Sequence, residues 1–275
     1  MKKIIINSPA KINFGLNIVS KRNDGFHNIE TIFYPIELHD ILTFERAERF
    51  SFSCNNELIL NDNNNLVLKA IRLLEQHSKM VFNAAITLEK NIPIGAGLGG
   101  GSSNAANTLL AVNELFDLQL KEGLLKEFAF QLGSDVPFFL HPVSSFASSR
   151  GEMLWPISFR IAKPILLVNP GIHISTKWAY ENILPKVPDF SLSSLDKNSV
   201  EHLTSLQNSV VNDFEKVTFA AHPELNKIKT KMFELHAEFA LMSGSGSTLF
   251  GIFPDKVSAR LAKKYFSKTY FTYLQ

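Results

Sequence analysis

The run from Pro93 to Ala106, PIGAGLGGGSSNAA, constrains this chain more than any other segment. Five glycines fall between Gly95 and Gly101. Fixing each one costs roughly 0.5–1 kcal/mol more chain entropy than alanine would, and a plain turn needs far fewer. Beyond them, Ala105, Leu109, Val112 and Phe116 recur at i, i+4, i+7 and i+11, the spacing of one buried helix face. A helix start carries about four unbonded N–H groups and a partial positive charge. A glycine-rich loop opening a helix therefore presents bare amides to an anion, and phosphate is the usual occupant. Ser102 and Ser103 are expected to cap this helix and to turn hydroxyls toward a phosphate oxygen or its metal ion.

Two named phosphate loops can be compared with it. A Walker A loop ends in Gly-Lys followed by Ser or Thr, whereas Gly101 is followed by Ser102, so that form is excluded. Gly95, Gly97 and Gly100 formally satisfy G-x-G-x-x-G. A dinucleotide fold also needs an acidic residue closing a second strand about 20 residues on. The segment there, NELFDLQLKEG, reads as helix and turn, which leaves dinucleotide binding only as a rival.

At 275 residues the chain is expected to form one large or two medium domains. Hydrophobic residues make up 45% and charged residues 20%, enough apolar content for a soluble core without staples. Cys54 is the single cysteine, so no internal disulfide forms, which suits a reducing compartment. The net charge of +2, with basic pairs such as Lys2-Lys3 and Lys263-Lys264 scattered, points away from nucleic acid as a partner. No apolar run approaches the ~20 residues of a membrane span. The opening MKKIIINSPAK is interrupted by Asn7 and Ser8 and reads as a first strand rather than a signal peptide, so a cytoplasmic protein is expected.

Along the chain, KKIIINSPAKINFGLNIV is β-like with a break expected at Ser8-Pro9, and TIFYPIEL and DILTFERA follow as strand candidates. NNNLVLKAIRLLEQH changes to helical period behind capping asparagines, and AAITLEKNI returns to strand. KEGLLKEFAFQL is a helix closed by Gly133, and SFASSRGEMLWPI a hairpin turning at Arg150-Gly151. PILLVNPG reads as a buried strand and LPKVPDFSLSSLDKNS as a long surface loop. HPELNKIKTKMFELH is a helix with Leu225, Ile228, Met232 and Leu235 on one face. ALMSGSGSTLFGIF reads strand–turn–strand, DKVSARLAKKYF helix and TYFTYL strand. The order does not alternate βα regularly, which predicts an α+β class.

PIGAGLGGGSSNAA resembles the ATP loop of the GHMP kinase superfamily, which phosphorylates small alcohols. SPAKINFGL, DGFHNIET, GSDVPFFL, NPG, NDFE and MSGSGSTLF occur in the order of one branch of it, across nearly the whole chain. Together they resemble the 4-diphosphocytidyl-2-C-methyl-D-erythritol kinases of non-mevalonate isoprenoid biosynthesis. The resemblance implies a ribosomal-protein-S5-like, ATP-binding N-terminal domain over residues 1–158 and a ferredoxin-like C-terminal domain over 159–275. It also implies ATP with Mg2+ and a small-molecule acceptor, the 2-hydroxyl of the cytidyl substrate, in a monomer or homodimer. Mevalonate-, homoserine- or sugar-type alcohols are the alternative acceptors within the superfamily.

On the residues alone, Asp135 is a cap or turn carboxylate or a placed base, and Lys11 a solvated strand lysine or a buried partner. The resemblance implies that Asp135 is the general base and Lys11 its partner. An ammonium there favours the ionised carboxylate and stabilises a developing alkoxide. It further implies an ATP site formed by Asn65, Lys90, Pro93, Ile94, Gly95, Ala96, Gly97, Leu98, Gly99, Gly100, Gly101, Ser102 and Ser103. Asn13, His27, Phe33, Tyr180, Gly244, Ser245 and Gly246 are implied at the acceptor, the histidine and Tyr180 near the cytosine ring and the glycine-serine turn at the diphosphate. No metal ligand from the protein is expected. Two positions depart from the family pattern: Phe26 where tyrosine is frequent, and Ser149 where glycine is common.

Overall fold

The computed structural model describes residues 2–60, 62, 64–195 and 203–275. The first half comprises β1 (Lys3–Lys21), β2 (His27–Arg46), β3 (Ser51–Cys54), α1 (Glu57–Leu60), α2 (Leu66–Ser78), β4 (Ala84–Glu89), α3 (Gly100–Leu115) and α4 (Glu122–Leu132). A 3-10 turn at Val136–Leu140 leads into β5 (Ser145–Ser148) and β6 (Met153–Pro156). Then come β7 (Ile165–Asn169), α5 (Thr176–Glu181), α6 (Leu203–Leu206), α7 (Phe214–Ala221), α8 (Pro223–Glu234), β8 (Phe239–Met242), β9 (Leu249–Ile252), α9 (Lys256–Phe266) and β10 (Phe271–Leu274).

Two compact units result, and neither is continuous in sequence. One holds residues 1–10, 36–94 and 99–142; the other holds 11–35, 95–98 and 143–275. This division differs from a single cut after residue 158, because β1 and β2, each about 20 residues long, contribute to both units.

In the first unit, β3 runs parallel to β4, and β4 pairs antiparallel with the later half of β2, from Ile41↔Glu89 to Arg46↔Ala84. Val67, Ala70, Ile71 and Leu74 of α2 are buried at helical spacing. The Asn65 side chain caps α2 by accepting the Val67 N–H at 2.9 Å, as its position before an apolar periodic run predicts. Helix α3 buries Ala105, Leu109 and Val112 as expected, while Phe116 stands just beyond its end. It also buries Ser103, Asn104, Asn107 and Thr108, so it is enclosed on more than one face. Gly133 closes α4.

In the second unit the earlier half of β2 pairs with β5, and β5 with β6 around the Ser149–Glu152 turn. A separate antiparallel sheet has the order β10-β7-β9-β8. Counting only its own strands along the chain, that order is 4-1-3-2. With α7 and α8 before β8, and α9 before β10, this is the split βαβ arrangement of a ferredoxin-like domain. Every residue of β7 is buried. Leu225, Ile228 and Met232 of α8 join Leu166, Val168, Met242, Leu249, Ala259 and Phe266 in one core.

Two expectations are corrected here. β1 continues through Ser8-Pro9 without a break, since proline's fixed φ suits extended chain and removes only a donor. TIFYPIEL and DILTFERA are one strand, β2, with no turn residue between them. The expected surface loop is irregular and exposed at Leu184 and Val187, and it is tied down near its described end by a 3-10 turn at Leu192–Ser194 with Leu192 fully buried. Leu192 fills the space beside Gly15, where a Cβ would stand 2.7 Å from its Cδ2. Residues 196–199 of that loop lie outside the described residues.

Candidate active site

The glycine loop is left-handed at every second residue, with φ of 63°, 77° and 70° at Gly95, Gly97 and Gly99. Ala96 and Leu98 between them are buried, whereas Ile94 is exposed. Within the second unit three successive carbonyls are engaged. The Ala96 carbonyl accepts the Thr248 N–H at 3.3 Å, and the Leu98 carbonyl accepts the Lys11 N–H at 3.0 Å. The Gly97 carbonyl accepts the Ser243 hydroxyl at 2.9 Å. Among the described residues, no hydrogen-bond acceptor is found for the N–H groups of Gly95 to Gly99. The loop is thus pinned by its carbonyls and leaves a run of amide donors unused, the electrostatic requirement of an anion cradle.

Helix α3 begins at Gly100 with Gly99 as its cap, and no side chain caps it. That corrects the serine cap. Ser102 and Ser103 lie inside the first turn, and the fully buried Ser103 hydroxyl accepts from Ser8 at 2.8 Å. Glycine takes the cap because the chain enters in a left-handed conformation that serine adopts only at a cost. The first turn of α3 has no acidic residue, so nothing opposes an anion at its positive end.

Lys11 is 3% exposed and so is not a solvated edge residue. Its Nζ donates to Asn13 Oδ1 at 2.5 Å, reaches the Gly97 carbonyl at 3.4 Å and lies 5.0 Å from the centre of the Phe33 ring. Asn13 is held in turn, its Nδ2 donating to Thr31 Oγ1 at 2.9 Å and its backbone N–H to Ser243 Oγ at 3.1 Å. Thr31 donates to the Gly15 carbonyl at 2.6 Å, which completes a buried chain of donors and acceptors. Lys11, Asn13, Phe33 and Gly97 are therefore brought together in one unit.

The glycine-serine turn follows β8. Gly244 and Gly246 have φ of 58° and 98°. Asn212 Nδ2 donates to the carbonyls of Met242 at 2.7 Å and Gly244 at 2.8 Å. Ser245 Oγ lies 3.1 Å from Thr176 Oγ1. A Cβ on Gly244 would come within 3.2 Å of the Gly97 Cα. The hairpin reading and a close approach to the glycine loop hold together.

His27 and Tyr180 stack with ring centres 4.9 Å apart and planes 19° from parallel, and Tyr180 meets Phe214 edge-on. Burial, with Lys21 nearby, holds the His27 imidazole below its usual value, so the ring is neutral at neutral pH. Beside it, Phe26 is covered by the Arg150 guanidinium 3.5 Å from its ring centre. Ser149 keeps a left-handed φ of 61° and accepts from Arg22 at 2.9 Å, so the backbone form natural to glycine is retained with a serine.

Asp135 and Lys90 belong to the other unit. Asp135 occupies the cap position of the Val136–Leu140 turn, yet its carboxylate makes no capping bond there. Lys90 pairs with Asp40 and donates to Asn104 Oδ1 at 3.2 Å. Asn65 spends its side-chain oxygen on the cap of α2. Sequence reasoning missed the supporting residues Ser8, Thr31, Asp40, Asn104, Asn212 and Ser243. Ser8, Thr31, Asn104, Asn212 and Ser243 do sit in the SPAK, DGFHNIET, PIGAGLGGGSSNAA, NDFE and MSGSG motifs, while Asp40 carries no local signal.

Among the described residues, no group of three or more His, Cys, Asp or Glu gathers to hold a metal ion, and no helix is long and apolar enough to cross a membrane.

Known proteins resemble the chain over its length. Residues 65–142 match the GHMP kinases N terminal domain and residues 193–271 the GHMP kinases C terminal family. A 4-diphosphocytidyl-2-C-methyl-D-erythritol kinase from Chlorobium chlorochromatii (strain CaD3) is 43% identical, covering 96% of this chain and 93% of its own. Its counterpart from Thermodesulfovibrio yellowstonii is 39% identical, over 94% and 92%. A crystal structure of 4-(cytidine 5'-diphospho)-2C-methyl-D-erythritol kinase superposes with a TM-score of 0.85 at 31% identity, covering 98% of each chain. Homoserine kinase from Cytophaga hutchinsonii shares the fold, with a TM-score of 0.71 at 17% identity over 100% of this chain and 94% of its own. This chain is a kinase with the two-domain α+β GHMP fold, and it belongs to the 4-diphosphocytidyl-2-C-methyl-D-erythritol kinase family of the GHMP kinases.

Proposed function

We propose that this kinase transfers the γ-phosphoryl group of ATP to the 2-hydroxyl of 4-diphosphocytidyl-2-C-methyl-D-erythritol, in the cytoplasmic non-mevalonate route to isoprenoid precursors. The observation that carries the ATP half is the loop from Gly95 to Gly99, pinned by its carbonyls and offering unpartnered amides. The cytidyl half is supported by the His27–Tyr180 ring pair, a neutral imidazole stacked on an aromatic ring.

In this reading the loop amides and the start of α3 hold the triphosphate. Mg2+ carried in with the nucleotide would supply charge neutralisation at the phosphates that the loop amides and the start of α3 hold. Asp135 takes the proton of the attacking hydroxyl, and the Lys11 ammonium, oriented by Asn13, stabilises the alkoxide as it forms. The hydroxyl oxygen bonds to the γ-phosphorus as the bond to the ADP oxygen breaks. Phosphoryl transfer of this kind depends mainly on positioning and charge stabilisation, which suits a lysine held on three sides in a buried strand.

The test is a coupled assay of ADP release from ATP with the cytidyl substrate, mevalonate, homoserine and galactose, with the product identified by mass and 31P NMR. Turnover confined to the cytidyl substrate, with one added phosphate on the 2-oxygen, is the expected result. Turnover on mevalonate or homoserine without the cytidyl substrate would overturn the acceptor, and no nucleotide binding at all would overturn the ATP half.

A further inference from the structure

One carboxylate lies at both ends of the glycine loop. Asp40, fully buried on β2, accepts through Oδ1 the backbone N–H groups of Asn91 and Ile92, each at 2.8 Å. Through Oδ2 it accepts the Lys90 ammonium and, at 3.0 Å, the Asn104 side-chain amide. Lys90, Asn91 and Ile92 immediately precede Pro93, and Asn104 sits one turn into α3. The strand that enters the loop and the helix that leaves it therefore hang on the same side chain. Asn104 extends the contact by donating to Ser8 Oγ at 3.0 Å.

We infer that Asp40 is the positioning residue of the nucleotide loop, fixing the separation of its two stems, with Lys90 as its counter-charge and not a phosphate ligand. A buried carboxylate is tolerated only when paired and fully hydrogen-bonded, and Asp40 has four donors, one of them cationic. The Lys90 side chain is only 6% exposed. Its Nζ lies 3.1 Å from where a Cβ on Gly100 would stand, so glycine at the first position of α3 leaves room for the ammonium. A loop held at both stems keeps its amides preorganised, which lowers the ordering cost of binding a phosphate. The inference rests on the reading that this loop takes the phosphates of ATP.

The test compares wild type, Asp40→Asn and Asp40→Asn/Lys90→Met. Asparagine keeps an oxygen for the two backbone N–H groups but sets an NH2 against Lys90 and Asn104. The readouts are the Kd for Mg·ADP by calorimetry, the KM for the alcohol at saturating ATP, and thermal melting. The single variant is expected to bind Mg·ADP at least fivefold more weakly, with the alcohol KM within threefold of wild type. Adding Lys90→Met should cost no more than a further twofold. If the single variant does not fold, the doubly neutral variant carries the same fivefold expectation. A loss below fivefold in a folded variant overturns the inference, and so does an equal rise in both constants, which would mark general destabilisation. A further tenfold loss on adding Lys90→Met would make Lys90 a phosphate ligand and overturn its assignment as counter-charge. Failure of wild type to bind Mg·ADP would fall on the ATP reading instead, and is seen separately from any variant effect.

Discussion

Ser243 and Gly97 are in contact twice. The Ser243 hydroxyl donates to the Gly97 carbonyl at 2.9 Å, and a Cβ on Gly97 would stand 2.1 Å from the Ser243 carbonyl oxygen. Gly97 also has φ of 77°, a conformation that costs an L-residue roughly 1–2 kcal/mol. Strain and collision act together, because the obstructing atom is backbone held in the turn after β8. Gly97→Ala is expected to raise the KM for ATP by at least about tenfold, equivalent to ~1.4 kcal/mol, with the fold retained by circular dichroism. Gly101→Ala is the contrast: its nearest neighbour would be Leu66 Cδ1 at 3.7 Å, an ordinary contact inside a helix. That variant should gain up to about 1 kcal/mol in denaturant unfolding. A neutral Gly97→Ala would mean the loop relaxes freely around Ser243.

Asn65 separates a structural role from a ligand role. Its side chain caps α2, and losing such a cap costs about 1 kcal/mol. Asn65→Ala should lose about that much in denaturant unfolding, and Asn65→Asp, which keeps the accepting oxygen, should lose little. If Asn65→Asp holds its stability while the KM for ATP changes severalfold, the residue touches nucleotide as well as capping the helix.

How far the sequence discloses this molecule depends on how local each signal is. The glycine loop, the α3 stripe, the hairpin at Arg150-Gly151 and the β7 strand are short-range patterns, and each was legible as composition or period. Ser102 and Ser103 mislead because serine is the ordinary cap, and only the left-handed entry at Gly99 reveals that glycine is required there. Helix α7 stayed hidden behind the NDFE motif, since its eight residues are too few to establish a period. Lys11 and Asp40 are the harder cases. A single lysine or aspartate in an apolar strand reads as solvated, and burial is decided by partners distant in sequence: Phe33 and Gly97 for one, Asn91 and Asn104 for the other. The family motif recovers Lys11 and gives nothing for Asp40.

The ring pair His27–Tyr180 predicts a split between the two substrates. Stacking of a base on an aromatic side chain is worth about 1–3 kcal/mol by alanine substitution. Tyr180→Ala should therefore raise the KM for the cytidyl substrate by roughly fivefold to a hundredfold, with the KM for ATP within twofold. Tyr180→Phe should behave like wild type if the ring alone is used. Equal increases in both constants would assign Tyr180 to packing against Phe214 instead.

Asp213 gives a pH signature. Its Oδ2 accepts the Ile18 N–H at 2.8 Å, and burial pushes the carboxyl above its usual value, partly offset by that bond and by Lys186. The folded state then binds the proton more tightly than the unfolded chain. Ionised Asp213 accordingly lowers stability at neutral pH, and this loss fades as pH falls through the folded-state value toward the ordinary carboxylate range. Asp213→Asn keeps an oxygen for Ile18 without the charge. It should unfold at higher denaturant than wild type at pH 7, and the gap should close as the pH is lowered toward 4. A gap that widens in acid would contradict the sign.

The proposed role of Asp135 as general base carries the sharpest test of the chemistry. Asp135 stands in the turn before Val136–Leu140, at a cap position where its side chain makes no capping bond. A positioned general base typically contributes 10²–10⁴ in rate. Asp135→Asn, which keeps shape and removes the basic oxygen, should lower kcat by about that factor with both KM values changed only slightly. Lys11→Met should also lower kcat, since it removes the ammonium held by Asn13 and leaves that buried acceptor unsatisfied. If the two act on one proton transfer, the double variant should be little worse than the poorer single one, because residues working as a unit are not additive. Multiplying losses would place them in separate steps. Near-normal turnover by folded Asp135→Asn would remove the carboxylate from the reaction and leave positioning and charge stabilisation as the whole of the catalysis.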